Sequence, residues 1–295
     1  MTSVLGHVGG GTLEPLQLIA VTAVALGYAR RARTLASEGR PAPAWRVACF
    51  AAGILLLVAG LVTPLAPMGG ELLLAHMAQH LLIGDLAAGL IVLGLTGPLL
   101  QPLLAIRAID RLRVLTHPLV ALPLWATSLY VWHIPVLYQA ALTSEPVHAL
   151  QHACFIGFGI AMWMPLVGPL PQPRWFGIWP KLGYVLAVRF AGTVLGNVFM
   201  WSNAVFYPDY APGEADFGIS PLTDQGTAGV IMTVEGGLVT LGALSWLFLK
   251  WAQQDTERQR LVELAEERGV PLSEERAERA VAAGTGARLE ERLRR

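Results

Sequence analysis

The sequence contains little charge. Only 14% of its 295 residues are Asp, Glu, Lys or Arg, and 54% are hydrophobic. A soluble globular domain carries about 25% charged residues, so this composition excludes an ordinary soluble protein. Apolar segments of about 20 residues are present instead, the length that a helix needs to cross the ~30 Å hydrocarbon layer. The sequence predicts an integral membrane protein that contacts the lipid bilayer and has no nucleic-acid partner.

Two further absences narrow the class of protein. The first 15 residues contain no Lys or Arg, so they lack the basic segment of a secretory signal, and we expect the first hydrophobic run to remain in the mature protein. The only two cysteines, Cys49 and Cys154, lie in apolar runs at predicted depths near opposite membrane faces. A disulfide between them is not expected, and both are interpreted as small buried hydrophobic residues.

The apolar segments predict seven transmembrane helices. Continuous apolar runs indicate helices rather than the alternating strands of a barrel, and these two structures alone pair every backbone group in lipid. The predicted class is an all-α polytopic bundle, with a transmembrane domain at 1–252 and a charged cytoplasmic tail at 253–295. The predicted spans are residues 13–29, 45–65, 71–96, 117–135, 146–168, 180–203 and 223–251.

Lys and Arg are also absent from alternate loops. The connections around 66–70, 136–145 and 204–222 contain neither, whereas the loops after the first, third and fifth spans are basic. Cytoplasmic loops carry the excess of positive charge, so the N-terminus is predicted outside and the C-terminus inside. The basic residues of the predicted inner loops are Arg30, Arg31, Arg33, Arg40, Arg46, Arg107, Arg111, Arg113, Arg174 and Lys181.

Histidine is scarce but concentrated. Four of the seven histidines belong to two copies of the pattern His-x-x-Gln-His, HMAQH at 76–80 and HALQH at 148–152. A spacing of four residues puts both imidazoles of a copy on one helix face, about 6 Å apart along the axis. Both copies begin spans that run inward, and a fifth histidine ends the span before the second copy. All five are predicted at the outer side: His76, His80, His133, His148 and His152.

These side chains suit a metal ion. Polar side chains are costly in a bilayer unless they are partnered, so they are functional candidates. Imidazole binds copper, zinc, iron and nickel, and thioether selects Cu(I), for which Met77 and Met200 are near. Asp224 begins the seventh span near the same layer. Packing is the competing interpretation, because methionine fills gaps and a lone histidine often bonds a neighbouring helix.

Three ionisable residues lie deeper in the predicted bundle. Asp85 in the third span and Arg189 in the sixth fall at similar depth, and an ion pair that fixes the bundle is expected between them. Glu235 lies near the middle of the seventh span. It is either a waypoint for a metal or proton, or a carboxyl group that burial keeps protonated.

Four sequence blocks resemble one family, the CtaG assembly factors of caa3-type cytochrome c oxidase. The blocks are HMAQHLLIGDLAAGLIVLGLTGPL, YVWHIPVLYQAAL, VHALQHACFIGFGIAMW and SPLTDQGTAGVIMTVEGG, and the resemblance extends over about residues 45–251. It implies a non-enzymatic, multi-pass protein of the bacterial plasma membrane that helps to mature a haem–copper oxidase. The family's histidine motifs fall on the five outer histidines, and its DQ motif falls on Asp224 and Gln225.

The leading hypothesis is therefore a copper-binding assembly factor. Copper, as Cu(I), would come from a donor outside the membrane and pass to a cytochrome c oxidase subunit. The candidate ligands are His76, His80, His133, His148, His152, Met77, Met200 and Asp224. Two alternatives stay open. One is a haem-bearing oxidoreductase in which His76 or His80 pairs with His148 or His152, and the other is a copper permease that uses the deeper ionisable residues.

Overall fold

A computed structural model describes residues 15–282 and 284–294 of the chain, and this part is helical with no strand. It divides into two units. The first comprises the described residues up to Phe176 together with Leu186–Gly237, and the second comprises Gly177–Val185 and the described residues from Leu238 onward.

The first unit holds all the histidine motifs. Its helices are α1 Pro15–Ser37, α2 Ala44–Val62, α3 Leu65–Met68, α4 Leu73–Leu81, α5 Ala88–Gly94, α6 Gly97–Leu104, α7 Arg107–Arg111, α8 Pro118–Trp132, α9 Pro135–Thr143, α10 Glu145–Val167 and α12 Ala211–Phe217. Two long helices contribute residues to both units, α11 Ile178–Trp201 and α13 Pro221–Glu267.

Five helical segments are long and apolar enough to cross a membrane: Ala44–Val62, Leu73–Gly94, Glu145–Val167, Ile178–Trp201 and Pro221–Glu267. A sixth is counted if Arg107–Thr116 and Pro118–Trp132, which meet at a bend of 79°, form one broken span. The all-helical membrane class is thereby confirmed with five or six candidate spans.

Two of the seven predicted spans are not among these five segments, each for a different reason. The first, 13–29, begins outside the described residues and otherwise falls on α1, which continues through Arg30, Arg31 and Arg33 to Ser37. These charges lower the mean hydropathy of the helix. The fourth, 117–135, corresponds to α8, which has only 15 residues.

A proline places His133 at a corner of the backbone. Pro135 is the first residue of α9, and a residue that precedes proline disfavours the helical region, so Ile134 is extended with φ −65° and ψ 126°. α8 therefore ends at Trp132, and His133 becomes its C-cap. Its side chain is buried.

The span that carries the first histidine motif is not a regular α-helix. Between α4 and α5 the residues Leu82–Ala87 form a π-helix, which begins two residues after His80 and includes Asp85. A π-helical turn carries one extra residue and is frequently found at functional sites.

Two glycines bring the histidine-bearing spans together. A Cβ atom at Gly159 of α10 would collide with the carbonyl oxygen of Gly84 in the π-helix. Because neither residue has a side chain, the two backbones touch. This close approach follows both histidine motifs along their helices, and it holds the two motifs side by side.

A buried aromatic and aliphatic cluster lies beside the motifs. Three tyrosines belong to it, and Met77 is packed among them with 1% of its surface exposed. The cluster consists of Leu73, Met77, Tyr138, Leu195, Phe199, Tyr207, Tyr210, Ala228 and Met232.

The second unit is built on the C-terminal part of α13, with α14 Glu274–Ala282 and α15 Gly286–Arg294. Its apolar core consists of Leu261, Ala265, Ala277, Val281 and Leu293. Arg258 pairs with Glu274 at 2.6 Å, and Arg260 pairs with Glu290 at 2.7 Å. α13 passes the predicted 252/253 boundary without a break, so the division into membrane domain and cytoplasmic tail stays a prediction.

Candidate metal centre

Four histidines from two helices form a ring of contacting imidazoles, which we call the histidine cluster: His76, His80, His148 and His152. The ring centroids of His76 and His80 are 4.1 Å apart, and those of His148 and His152 are 4.2 Å apart. Across the two helices, His76 lies 5.6 Å from His148 and His80 lies 5.3 Å from His152. Each ring therefore contacts one neighbour on its own helix and one on the other.

Three members of the histidine cluster have the spacing of a metal site. One ring nitrogen from each of His76, His80 and His148 lies within 4.8 Å of the other two. Three ligands at bond lengths of about 2 Å from one ion would be about 3.5 Å apart. The three imidazoles would have to close by about 1 Å, which small rotations of their side chains supply.

The ring nitrogens of the α4 histidines are available. His76 Nδ1 faces the carbonyl oxygen of Gly69 at 3.0 Å. A carbonyl only accepts, so Nδ1 carries the proton and Nε2 presents its lone pair. Nε2 of His76 and both ring nitrogens of His80 are buried without a hydrogen-bond partner among the described residues. Buried polar atoms are normally paired, so these unpaired nitrogens indicate a binding site for a ligand such as a metal ion.

The glutamine of the first motif fixes its helix to α2. Gln79 Nε2 donates to the carbonyl oxygen of Gly60 at 2.8 Å. In a continuous helix that oxygen would accept from residue 64, but Pro64 has no N–H. Gln79 therefore satisfies a carbonyl group that the end of α2 leaves open.

The structure brings His133 and Met77 to each other rather than into the histidine cluster. His133 Nδ1 lies 2.6 Å from the carbonyl oxygen of Leu129, and Nε2 lies 3.4 Å from the sulfur of Met77. Phe155 contacts both groups, with its ring centroid 4.5 Å from that of His80 and 6.1 Å from that of His133.

Met200 is placed at a helix contact. Its sulfur lies 3.9 Å from the hydroxyl of Thr233, and its Cγ packs where a Cβ of Gly229 would be. These contacts join α11 to α13. They account for Met200 without a metal.

Asp224 caps the helix that carries the first motif. Its Oδ2 accepts from the backbone N–H of Leu73 at 2.7 Å, and its Oδ1 accepts from that of Leu74 at 2.9 Å. These N–H groups belong to the first turn of α4, which has no partner for them within the helix. Asp224 is completely buried, and both of its oxygens are engaged.

Glu214 of α12 lies behind Asp224. The two carboxyl groups are hydrogen bonded to each other. Burial raises the pKa of the Glu214 carboxyl, and the neighbouring Asp224 carboxylate adds to the effect. The contact with Glu214 adds to the bonds that position Asp224.

Three buried tyrosines complete the surroundings, and the sequence-based reasoning did not single them out. The hydroxyls of Tyr138 and Tyr210 are 2.9 Å apart, and Tyr210 also donates to the carbonyl oxygen of Gly69 at 3.2 Å. Tyr207 donates to the carbonyl oxygen of His133 at 2.8 Å. Tyr207 and Tyr210 lie in the connection 204–222, where the sequence analysis considered only the lack of Lys and Arg.

The deeper ionisable residues are arranged differently from the expected ion pair. Asp85 accepts from Trp163 Nε1 at 2.7 Å and is hydrogen bonded to the Glu235 carboxyl group. Arg189 lies against Gly236 and acts on Glu235. Asp85 thus finds its partners on α10 and α13, while Arg189 of α11 faces Glu235 instead.

Comparison with known proteins gives one family. Residues 26–254 match the family described as cytochrome c oxidase caa3 assembly factor, Caa3_CtaG. Two uncharacterized proteins, one of Mycobacterium bovis and one of Mycobacterium tuberculosis, are each 24% identical over 257 residues. The matched region covers 79% of this chain and 38% of each relative, so the chain spans little more than a third of their length. No solved structure matches the chain.

Proposed function

The chain belongs to the family of caa3-type cytochrome c oxidase assembly factors, and from this premise we propose that it binds copper at the histidine cluster and delivers it to a subunit of the oxidase. The observation that carries the proposal is the convergence of ligand nitrogens from His76, His80 and His148 within 4.8 Å, in a site on two helices where His76 and His80 are buried and His148 is half-buried. A haem–copper oxidase needs copper during assembly, and the family to which the chain belongs is described as an assembly factor of such an oxidase.

The donor set favours Cu(I). The three imidazoles are neutral ligands, so nothing in the set cancels the charge of a bound ion. The Born cost of burying an ion grows with the square of its charge, and a monovalent ion costs about one quarter as much as a divalent ion of the same size. Imidazole suits copper in any case. Three imidazoles also bind Zn²⁺ when water fills the fourth position, so the charge of the ion is what favours Cu(I).

The same geometry suits a carrier rather than an enzyme. Three ligands hold an ion firmly without closing its coordination shell, so an acceptor ligand can approach. His152 is in ring contact with both His80 and His148. His152 provides a fourth imidazole that can bind the ion while a ligand of the oxidase replaces one of the other three.

The decisive test is a Cu(I) titration of purified protein against a chromogenic chelator. Wild-type protein is expected to bind one ion, and each of His76→Ala, His80→Ala and His148→Ala is expected to lose more than about 100-fold in affinity, beyond the usual effect of an outer-shell residue. His117→Ala is the matched control, because His117 bonds the backbone of Leu119 outside the cluster. Unchanged binding in the three variants would refute copper binding here, and a Soret band would favour haem.

Delivery requires a second measurement. Membranes that contain the apo-oxidase subunit are incubated with copper-loaded wild-type or His148→Ala protein, and copper in the subunit is then determined. Transfer from the wild type alone is expected. If the subunit takes up copper equally well from the solution, delivery is refuted while binding stands.

We also propose that α1 and α8 cross the membrane with the other five segments, which gives seven spans in a bacterial plasma membrane, with the N-terminus outside. The support is the distribution of Lys and Arg over alternate loops. With Cys49 and Cys154 replaced by serine, an impermeant maleimide should label Glu145→Cys in intact cells and Ser37→Cys only after lysis. The reverse pattern would invert the topology.

A further inference from the structure

The inner part of the first unit contains a pair of carboxyl groups that the proposed function does not use. Asp85 lies in the π-helix, five residues after His80, and Glu235 lies on α13. Both side chains are half-buried, within segments that are long and apolar enough to span the membrane. Ionisable residues at such positions are expensive and mark functional sites.

The two carboxyl groups are hydrogen bonded to each other. An ionised carboxylate has no proton to donate, so this bond exists only if one of the two groups is protonated. Asp85 also accepts a hydrogen bond from Trp163 Nε1 at 2.7 Å. The bond from Trp163 stabilises the ionised form of Asp85, so we assign the shared proton to Glu235.

The chain makes room for both partners of the pair. A Cβ at Gly89 would lie 3.1 Å from the indole of Trp163, so this glycine accommodates the ring that bonds Asp85. A Cβ at Gly236 would lie 2.7 Å from a terminal nitrogen of Arg189, so that glycine accommodates the guanidinium beside Glu235. This explains the sequence Glu235-Gly236-Gly237: the two glycines after the carboxyl group leave space for the guanidinium of Arg189.

Charge balance follows from this arrangement. The pair with one proton carries a single negative charge, and Arg189 is the positively charged residue that acts on it. The set of three is then neutral. Loss of the proton would leave one net negative charge in the membrane, and gain of a second proton would leave one net positive charge.

We propose that Asp85 and Glu235 form a proton-binding site within the membrane, in which Glu235 carries one exchangeable proton, Asp85 accepts its hydrogen bond and Arg189 neutralises the pair. The site is distinct from the histidine cluster and does not depend on copper binding there. It gives the protein a place to take up or release one positive charge on the span that carries His76 and His80.

Infrared spectroscopy of the full chain in lipid nanodiscs at pH 7.5 tests the proposal. A protonated carboxyl group in an apolar environment has a carbonyl stretching band separate from those of carboxylates and amides. The wild type is expected to show this absorption, Glu235→Gln to lose the component that Glu235 contributes to it, and Asp85→Asn to keep that component at a shifted frequency because its hydrogen-bond acceptor has changed. Glu145→Gln, on the exposed first turn of α10, is the matched control and should not alter it.

Each outcome decides the question. A band that is absent from the wild type, or unchanged in both Glu235→Gln and Asp85→Asn, would overturn the proposal. Loss in Asp85→Asn with retention in Glu235→Gln would overturn the assignment of the proton to Glu235. If Glu235→Gln fails to fold, labelling of wild-type protein by an apolar carbodiimide, which modifies protonated carboxyl groups, replaces it. Modification of Glu235 is expected, and an unmodified Glu235 would refute the site.

Discussion

The two copies of the His-x-x-Gln-His pattern have the same residue types and different surroundings. The first copy is fixed at both ends, because Asp224 caps the start of its helix and Gln79 bonds the end of α2. The second copy begins at α10, where Ser144 makes no side-chain cap hydrogen bond. Gln151 is completely buried, and neither atom of its amide has a partner among the described residues.

The two motifs share one sequence pattern, but their different hydrogen bonds give them different roles in the site. The α4 imidazoles are held by tertiary hydrogen bonds around them, so they form the fixed side of the site. The closure of about 1 Å that an ion requires then falls mainly to α10, which has no side-chain cap and whose His152 makes a longer contact, 3.3 Å from Nδ1 to Gln17 Oε1. A site with one fixed and one adjustable side can bind an ion and also release it.

The contact that joins the two copies should be the most sensitive part. Gly159→Ala places a methyl group against the carbonyl oxygen of Gly84, and this clash is with backbone, which cannot rotate away. We expect the free energy of unfolding to fall by about 3 kcal/mol, the upper end for overpacking, and Cu(I) binding to be lost with it. Thermal unfolding in detergent, followed by circular dichroism, measures the first effect.

Gly157→Ala is the control on the same helix. A Cβ at Gly157 meets nothing within 4 Å, so the melting temperature of Gly157→Ala should be equal to or slightly above that of the wild type, and its copper affinity should be unchanged. Equal effects at both positions would mean that the contact between Gly84 and Gly159 does not hold the two motifs together.

The two glutamines should respond in opposite directions. Gln79→Leu leaves the Gly60 carbonyl without a donor, since Pro64 cannot supply one, and we expect a loss of about 2 kcal/mol in stability. Gln151→Leu removes a buried amide without partners and should be neutral or slightly stabilising. Thermal unfolding of the two variants measures the difference. Copper affinity that falls in Gln151→Leu at unchanged stability would instead assign Gln151 to the bound ion.

Much of this architecture could be predicted from the sequence. Low charge and long apolar runs indicated a helical membrane protein, and a spacing of four put His76 with His80 and His148 with His152 on common helix faces. Local periodicity is enough for these inferences. It does not decide whether α1 and α8 span the membrane, because arginines in one and the short length of the other leave hydropathy ambiguous.

The partners of the polar residues could not be predicted. Asp224 lies at the start of its own helix, where a carboxylate ordinarily caps that helix, yet it caps α4, about 150 residues earlier in the chain. Asp85 was expected to pair with Arg189 because their depths agree, but depth does not specify which helices are neighbours. The π-helix, which has no sequence signature of its own, contains Asp85 and includes Gly84, whose backbone contacts α10.

Asp224 provides a further way to test the asymmetry. Asp224→Ala removes the acceptor for two N–H groups of α4 and should cost about 1 kcal/mol, as for other helix caps, with a moderate loss of Cu(I) affinity because the fixed side is loosened. Asp224→Asn keeps one acceptor oxygen and should lie between alanine and wild type. If Asp224→Asn abolishes copper binding at an unchanged melting temperature, Asp224 is a ligand rather than a cap.

The smallest expected effect is a dependence of metal affinity on pH. A metal cation bound at the first motif favours the ionised form of the Asp85–Glu235 pair on the same span. Metal binding should therefore release, on average, a fraction of a proton from this pair. The affinity for the metal should then increase with pH. Between pH 7.5 and 9, where ordinary imidazoles are already neutral, we expect about a threefold increase, or about 0.6 kcal/mol, for Ag(I), a redox-stable substitute for Cu(I). Glu235→Gln has no proton to release, so its affinity should not change with pH. A wild-type affinity that is equally independent of pH would show that the two sites act separately, whereas an identical increase in both proteins would place the released proton elsewhere.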